Sequence, residues 1–156
     1  MSAPKPHKEN RLLLIEKVLL LKSLSLFAET PETILAEVAE ILEEEEFEAN
    51  TPLFKTGDLA QCMYIIFNGE IKIHHEEHTL AVLKANDFFG ELSLLDTETR
   101  SASATTVSEA LLLKLDQEPF YDILESRIEV ARGIIKTLCQ RLRNQNIKSI
   151  QNSKTS

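Results

Sequence analysis

The chain is short of basic residues, of cysteine and of long apolar runs. Lysine and arginine together number 17 against 25 acidic residues, giving a net charge of −8. A nucleic-acid surface needs clustered Lys and Arg, so this balance argues against nucleic acid as a partner. The two cysteines, Cys62 and Cys139, lie far apart and make no metal-ligand spacing. They read as two reduced, buried thiols of a cytoplasmic protein. No apolar run reaches the roughly 18 residues a membrane span needs. The most apolar stretch, Leu12 to Phe27, is broken by Glu16, Lys17 and Lys22, so no membrane insertion is expected. Residues 1–10 form a polar lead, expected to be disordered, without a secretory pattern. Ser93 and Ser101 have no histidine and acid placed for nucleophilic work, so the chain is not expected to be an enzyme. His74, His75 and His78 fall at a strand end and a hairpin tip, which reads as a solvated loop rather than a metal site. Neither a metal nor a cofactor is expected.

What remains is an ordinary globular composition, 43% hydrophobic and 27% charged, over 156 residues. That length fits one domain with a proper core. Residues 11–24 read as an amphipathic helix with Leu13, Leu14, Val18 and Leu21 on its apolar face. Thr30-Pro31 reads as a second helix start with Thr30 as N-cap, followed by Ile34, Leu35, Val38, Ile41 and Leu42 at helical spacing. The run Glu43–Glu46 reads as a solvated helix end. From there the texture changes to short strands separated by turns. Candidates are 46–49, 53–55, 63–67, 70–74, 80–83, 103–107 and 111–115, with Asn68-Gly69 as a hairpin signal. Such spacing indicates a closed or rolled antiparallel sheet. Asp116 caps a further helix, and Ile128, Ala131, Ile135, Leu138 and Leu142 mark a longer one. That stripe fits either the sheet or a symmetry mate. The organisation is therefore α+β: helices over 11–45, a roll over 46–115, C-terminal helices over 116–146 and a polar tail over 147–156, the end fraying from about Asn144.

One stretch, Asp87 to Ala102, carries ligand chemistry. Gly90 lets the backbone approach closely, and Glu91–Leu95 can form a short helix with free N–H groups. Arg100 follows nine positions after Glu91, ahead of the small residues Ser101 and Ala102. Arginine offers a permanent charge and a two-pronged donor for phosphate oxygens, and Glu91 can accept from a sugar hydroxyl. The plain competing reading is a surface ion pair between Glu91 and Arg100.

Taken together, Leu53-Phe54, Gly57-Asp58, Tyr64-Ile65-Ile66, Asn68-Gly69-Glu70-Ile71, Asp87 to Leu95, Arg100-Ser101-Ala102 and Leu112 to Asp116 resemble a cyclic nucleotide-binding domain. This is the module of catabolite-activator-type regulators, protein kinase A regulatory subunits and cyclic-nucleotide-gated channels. The resemblance runs from about Leu24 to about Asn146. It implies an antiparallel β-roll, of the double-stranded β-helix or jelly-roll type, flanked by N-terminal helices and a C-terminal helix pair. It implies that Glu91 holds a ribose 2′-hydroxyl and Arg100 the cyclic phosphate. Gly90, Leu92 and Ser93 then lie around ribose and phosphate, and Ser101 with Ala102 meets the phosphate. Counting along the resemblance places Gln145 and Asn146 near the base cap. The chain departs from the family pattern at Thr99, at Lys84-Ala85-Asn86-Asp87 and at Ser103-Ala104, none of which removes a charged ligand group.

The expected function is a non-catalytic sensor of a cyclic nucleotide, cAMP over cGMP because Ser101 is not the threonine that accompanies cGMP. The signal would leave through the C-terminal helices, to a second copy or to an effector protein. A DNA-binding segment of the activator type is not expected. The alternative is a structural or protein-interaction module that keeps the roll without the ligand.

Overall fold

The computed structural model describes residues 12–155; the polar lead expected over 1–10 lies outside them. Two helical segments come first, α1 (Leu14–Ser23) and α2 (Glu32–Glu40), joined through a 3-10 turn at Ser25–Phe27. Ten short strands follow: β1 (Glu43–Phe47), β2 (Pro52–Phe54), β3 (Leu59–Ala60), β4 (Cys62–Asn68), β5 (Ile71–His75), β6 (His78–Leu83), β7 (Phe88–Phe89), β8 (Glu98–Thr99), β9 (Ser103–Thr106) and β10 (Ala110–Asp116). A five-residue helix, α3 (Glu91–Leu95), interrupts them, and α4 (Gln117–Ser126) and α5 (Ile128–Thr155) close the chain.

The strands make two antiparallel four-stranded sheets, β1-β10-β4-β7 and β2-β9-β5-β6, and a small pair, β3-β8. This is the roll that the turn spacing indicates. Alternation sets its inside. On β5, Ile71 pairs with Thr106 and Ile73 with Ala104 of β9, and Ile71, Thr106 and Ala104 are fully buried. These residues and Tyr64, Ile66 and Leu112 form the core within the roll. The other face of β4 and β10 presents Met63, Ile65, Leu113 and Leu115 to the helices. Leu21, Leu26, Phe27, Leu35 and Phe120 meet them there, with Phe27 edge-on to Phe120 at 5.9 Å.

Several sequence expectations need correction. Glu43–Glu46 is strand, not helix end: it pairs with Leu111–Lys114, and the Lys114 ammonium lies 3.9 Å from the Glu45 carboxylate. The helical region therefore stops at Glu40. Strand pairing overrides the helical propensity of glutamate because β10 offers an open ladder edge. Asn68-Gly69 is not a hairpin, because β4 and β5 belong to different sheets. It is the corner where the chain leaves one sheet for the other, and the hairpin lies instead at Glu76, between β5 and β6. Thr30 does not cap α2; its hydroxyl is buried without a hydrogen-bond partner among the described residues, and the Pro31 carbonyl starts the helix instead. Asp116 occupies the N-cap position of α4, but its carboxylate lies 3.5 Å from the Lys114 amine rather than on a helix N–H. On α1, Val18 and Leu21 are buried but Leu13 and Leu14 are exposed, and Lys17 takes an inward position.

The C-terminal helix also differs. It does not fray at Asn144 but continues to Thr155. Val130, Ile134 and Thr137, none of them in the expected stripe, face inward; of the stripe, Ile128, Ile135 and Leu142 face solvent and Ala131 and Leu138 are half-buried. Gly133 is the close-approach point of this helix, since a Cβ there would sit 3.1 Å from the Thr30 hydroxyl.

Gly69 has φ +96°, and an added Cβ would fall 2.5 Å from the Glu109 carbonyl oxygen and 2.7 Å from the Ala110 Cα. Both contacts are backbone and cannot swing away. Gly69→Ala is expected to cost at least about 1–3 kcal/mol, the scale of left-handed strain alone. A urea unfolding curve checks this; an unchanged midpoint would refute the account of the corner.

Candidate functional site

A cavity of about 320 Å³ opens where the two sheets meet α3. Its rim is residues 89–93 and 98–102, and Phe54 and Ile73 form the wall behind. The segment that carries most of the predicted ligand residues therefore folds around one cavity.

Arg100 lies at the back, only 8% exposed. Its backbone is held on both sides: its N–H donates to the Asp58 carbonyl, and its carbonyl accepts from the Gly57 N–H, each at 2.8 Å. Its side chain is held as well. Nη2 donates to the Cys62 carbonyl at 3.1 Å and approaches the Cys62 sulfur at 3.3 Å, and the guanidinium carbon sits 4.1 Å from the centre of the Phe54 ring. Gly90 makes room for this. Its φ is +81°, and an added Cβ would meet Arg100 Nη1 at 2.5 Å and the Cys62 carbonyl at 3.0 Å. Glycine suits the backbone angle there, and a side chain would displace Arg100 Nη1 from its present position.

Glu91 does not pair with Arg100. Arg141 reaches from α5 and donates from Nη1 to Oε1 at 2.7 Å and from Nη2 to Oε2 at 3.2 Å. The same Nη2 also donates to the Ser25 hydroxyl at 2.7 Å. Arg141 thus ties α5 to the cavity and to the turn after α1. The fork geometry suits a carboxylate, and the pair is mostly covered.

The remaining candidates divide. Ser93 is buried, and its carbonyl accepts from Gln117 at 3.2 Å. Leu92 is 54% exposed and stands at the mouth. Ser101 is exposed and Ala102 half-buried on the opposite rim. Gln145 and Asn146 are exposed on α5, one turn beyond Arg141, and do not line the cavity. α3 has only five residues, and the Ser93 N–H already donates to the Gly90 carbonyl, so the charge facing an anion comes from Arg100 rather than from the helix end.

Sequence reasoning missed Arg141, Cys62 and the role of Phe54. Arg141 is one of several basic residues on a long helix, and nothing local separates it from Arg143. Its distance from Glu91 is 50 positions in sequence. The tertiary fold alone brings them together.

Burial shapes the chemistry beside Arg100. It pushes the Cys62 thiol above its ordinary value, although the Arg100 charge pulls the other way. It pushes the Tyr64 phenol up as well. The three histidines are not gathered: among the described residues no three His, Cys, Asp or Glu side chains are placed to hold a metal. His74 instead spans the Glu76 carbonyl at 2.7 Å and the Thr105 hydroxyl at 2.8 Å.

The fold and the cavity define a class, a β-roll whose pocket is bordered by one guanidinium, Arg100, and two carboxylates, Glu91 and Glu98. Residues 44–127 match the family described as the cyclic nucleotide-binding domain, and the chain belongs to that family. It is 35% identical over 102 residues to the cyclic AMP receptor protein of Thermus thermophilus, a match covering 62% of this chain and 47% of that protein. Its fold is similar to the N-terminal domain of a transcriptional regulator from Streptomyces coelicolor, with a TM-score of 0.77 and 30% identity over 81% of this chain and 94% of that one. It is similar also to the regulatory domain of Toxoplasma gondii protein kinase A, crystallised with cAMP, with a TM-score of 0.68 and 31% identity over 74% of this chain and 46% of that one. The chain spans about half the length, or less, of the curated relatives it matches. Among the described residues no helix is long and apolar enough to cross a membrane.

Cys139 is exposed on α5, whereas Cys62 is half-buried with a raised thiol pKa. Only the thiolate alkylates readily. Iodoacetamide at pH 8 is expected to label Cys139 well before Cys62, and peptide mass mapping over time checks the order. Equal rates would contradict the burial of Cys62.

Proposed function

We propose that the chain is a non-catalytic regulatory module that binds a cyclic nucleotide, cAMP in preference to cGMP. One observation carries the proposal: Arg100 and Glu91 border the same cavity, one a preset cation and the other a carboxylate. Arg100 takes the cyclic phosphate, and Gly90, Ser93, Ser101 and Ala102 surround it. Glu91 accepts from a ribose hydroxyl. Ile73, Phe89 and Leu92 offer apolar surface to the base. Gln145 and Asn146 lie outside the cavity lining, so they cap the base only if α5 shifts towards it. The preference for cAMP is supported by the cyclic AMP receptor protein and by the kinase regulatory domain bound to cAMP among its relatives. The two free thiols fit a reducing cytoplasm.

Transmission follows from Arg141. It holds Glu91 with Nη1 and Nη2, and Ser25 with the same Nη2. A ribose hydroxyl at Glu91 donates to the same carboxylate and changes what Arg141 meets. A ligand that favours one arrangement of this contact shifts the population of α5 positions. The outer face of α5, with Ile128, Ile135 and Leu142 each about 60% exposed at seven-residue intervals, then meets a second copy. A two-fold axis brings such a stripe onto itself, as in a helix pair.

Isothermal titration with cAMP and with cGMP tests the ligand. Binding of cAMP is expected, and Arg100→Ala is expected to weaken it at least about 100-fold, because a bidentate charge-assisted contact is worth about 3 kcal/mol or more. No heat with either nucleotide at millimolar concentration would refute binding and favour a ligand-free interaction module. Sedimentation equilibrium tests the assembly: a dimer is expected that Leu142→Glu dissociates, and a monomer at high concentration would dispose of it.

A further inference from the structure

We infer that Phe54 is a positioning residue for the phosphate contact, acting through Arg100 as an aromatic seat that sets the affinity of the pocket. The inference rests on the cyclic-nucleotide reading above and goes beyond it, to a residue with no polar atom. Phe54 lies on β2, more than forty positions before Arg100. It is not an isolated ring. It lies 6.0 Å from Phe89 and 6.5 Å from Tyr64, and these two stack on each other at 5.3 Å with an interplanar angle of 24°. The three rings form one platform, and the guanidinium carbon of Arg100 sits 4.1 Å from the ring at its edge.

The seat has three sides. The Phe54 face attracts the cation through its quadrupole. The Cys62 carbonyl and sulfur take Nη2. Gly90 leaves room for Nη1, which a Cβ would meet at 2.5 Å. Among the described contacts, Nε and Nη1 make no hydrogen bond, so each remains a donor for a phosphate oxygen. A long side chain held so firmly loses little rotamer freedom on binding, so a ligand meets a preset donor pair. Without the ring, the guanidinium keeps only the Cys62 contact and gains freedom to swing into the cavity. Packing alone does not account for the arrangement, because an aliphatic wall would leave this nine-tenths-buried cation facing no negative density on that side.

The test separates the ring's charge distribution from its volume. Phe54 is replaced by mono-, di- and trifluorophenylalanine, which keep shape and burial but progressively weaken the quadrupole, and by Leu, which removes it. cAMP affinity is read by titration and the unliganded thermal midpoint by circular dichroism. Affinity is expected to fall stepwise along the fluorine series with the midpoint nearly constant. Phe54→Leu is expected to lose about three- to thirty-fold, the range a cation–π contact spans. If Phe54→Leu does not fold, the fluorine series alone decides. Wild-type binding with equal affinity across the series overturns the inference and leaves the cyclic-nucleotide reading standing. Absence of binding by the wild type overturns that reading and the inference with it.

Discussion

The buried guanidinium of Arg100 is the constraint around which this protein is arranged. A cation that is 8% exposed is costly unless its donors and its face are met. The fold meets them from separate parts of the chain: Cys62 on β4, Phe54 on β2, and the turn at Gly57 and Asp58 that holds the Arg100 backbone. Gly90 contributes an absence, since a Cβ there would fall 2.5 Å from Arg100 Nη1 as it now lies. Arg100 still lines the cavity, with no described hydrogen bond at Nε or Nη1.

Two cores make that arrangement rigid. The inner core of the roll holds the platform of Phe54, Tyr64 and Phe89, and the outer core fastens the helices to the other face of β4 and β10. β4 belongs to both, since Ile66 points into the roll and Ile65 towards the helices. Alternation along one strand therefore couples the cavity wall to the helical layer. The contact of α5 with the rest is more polar. Thr137 donates to the Ser25 carbonyl, Arg141 bonds Glu91 and Ser25, and Gly133 lies against a Thr30 hydroxyl that has no partner among the described residues. Such a contact can be remade at lower cost than an apolar core.

Legibility in the sequence followed the range of the interactions. The central strands were readable because runs such as Met63–Phe67 and Leu111–Leu115 carry their signal locally. The stretch that borders the cavity was readable because Gly90, Glu91 and Arg100 lie within eleven consecutive residues. Glu43–Glu46 misled because a glutamate run favours a helix until a distant strand edge offers pairing. Asn68-Gly69 misled because the same dipeptide serves a hairpin or a corner, and only the partner strands decide which.

Residue types and short spacings alone carried the class of fold, its longer central strands and the stretch that borders the cavity. Only the tertiary structure decided what those residues touch. Glu91 meets Arg141 rather than Arg100, Arg100 rests on Phe54, and Gln145 and Asn146 stay outside the cavity. These contacts join positions tens of residues apart, through the turn of a helix and the crossing of two sheets. No local pattern records them, because their free energy arises only when the whole chain has closed around the charge.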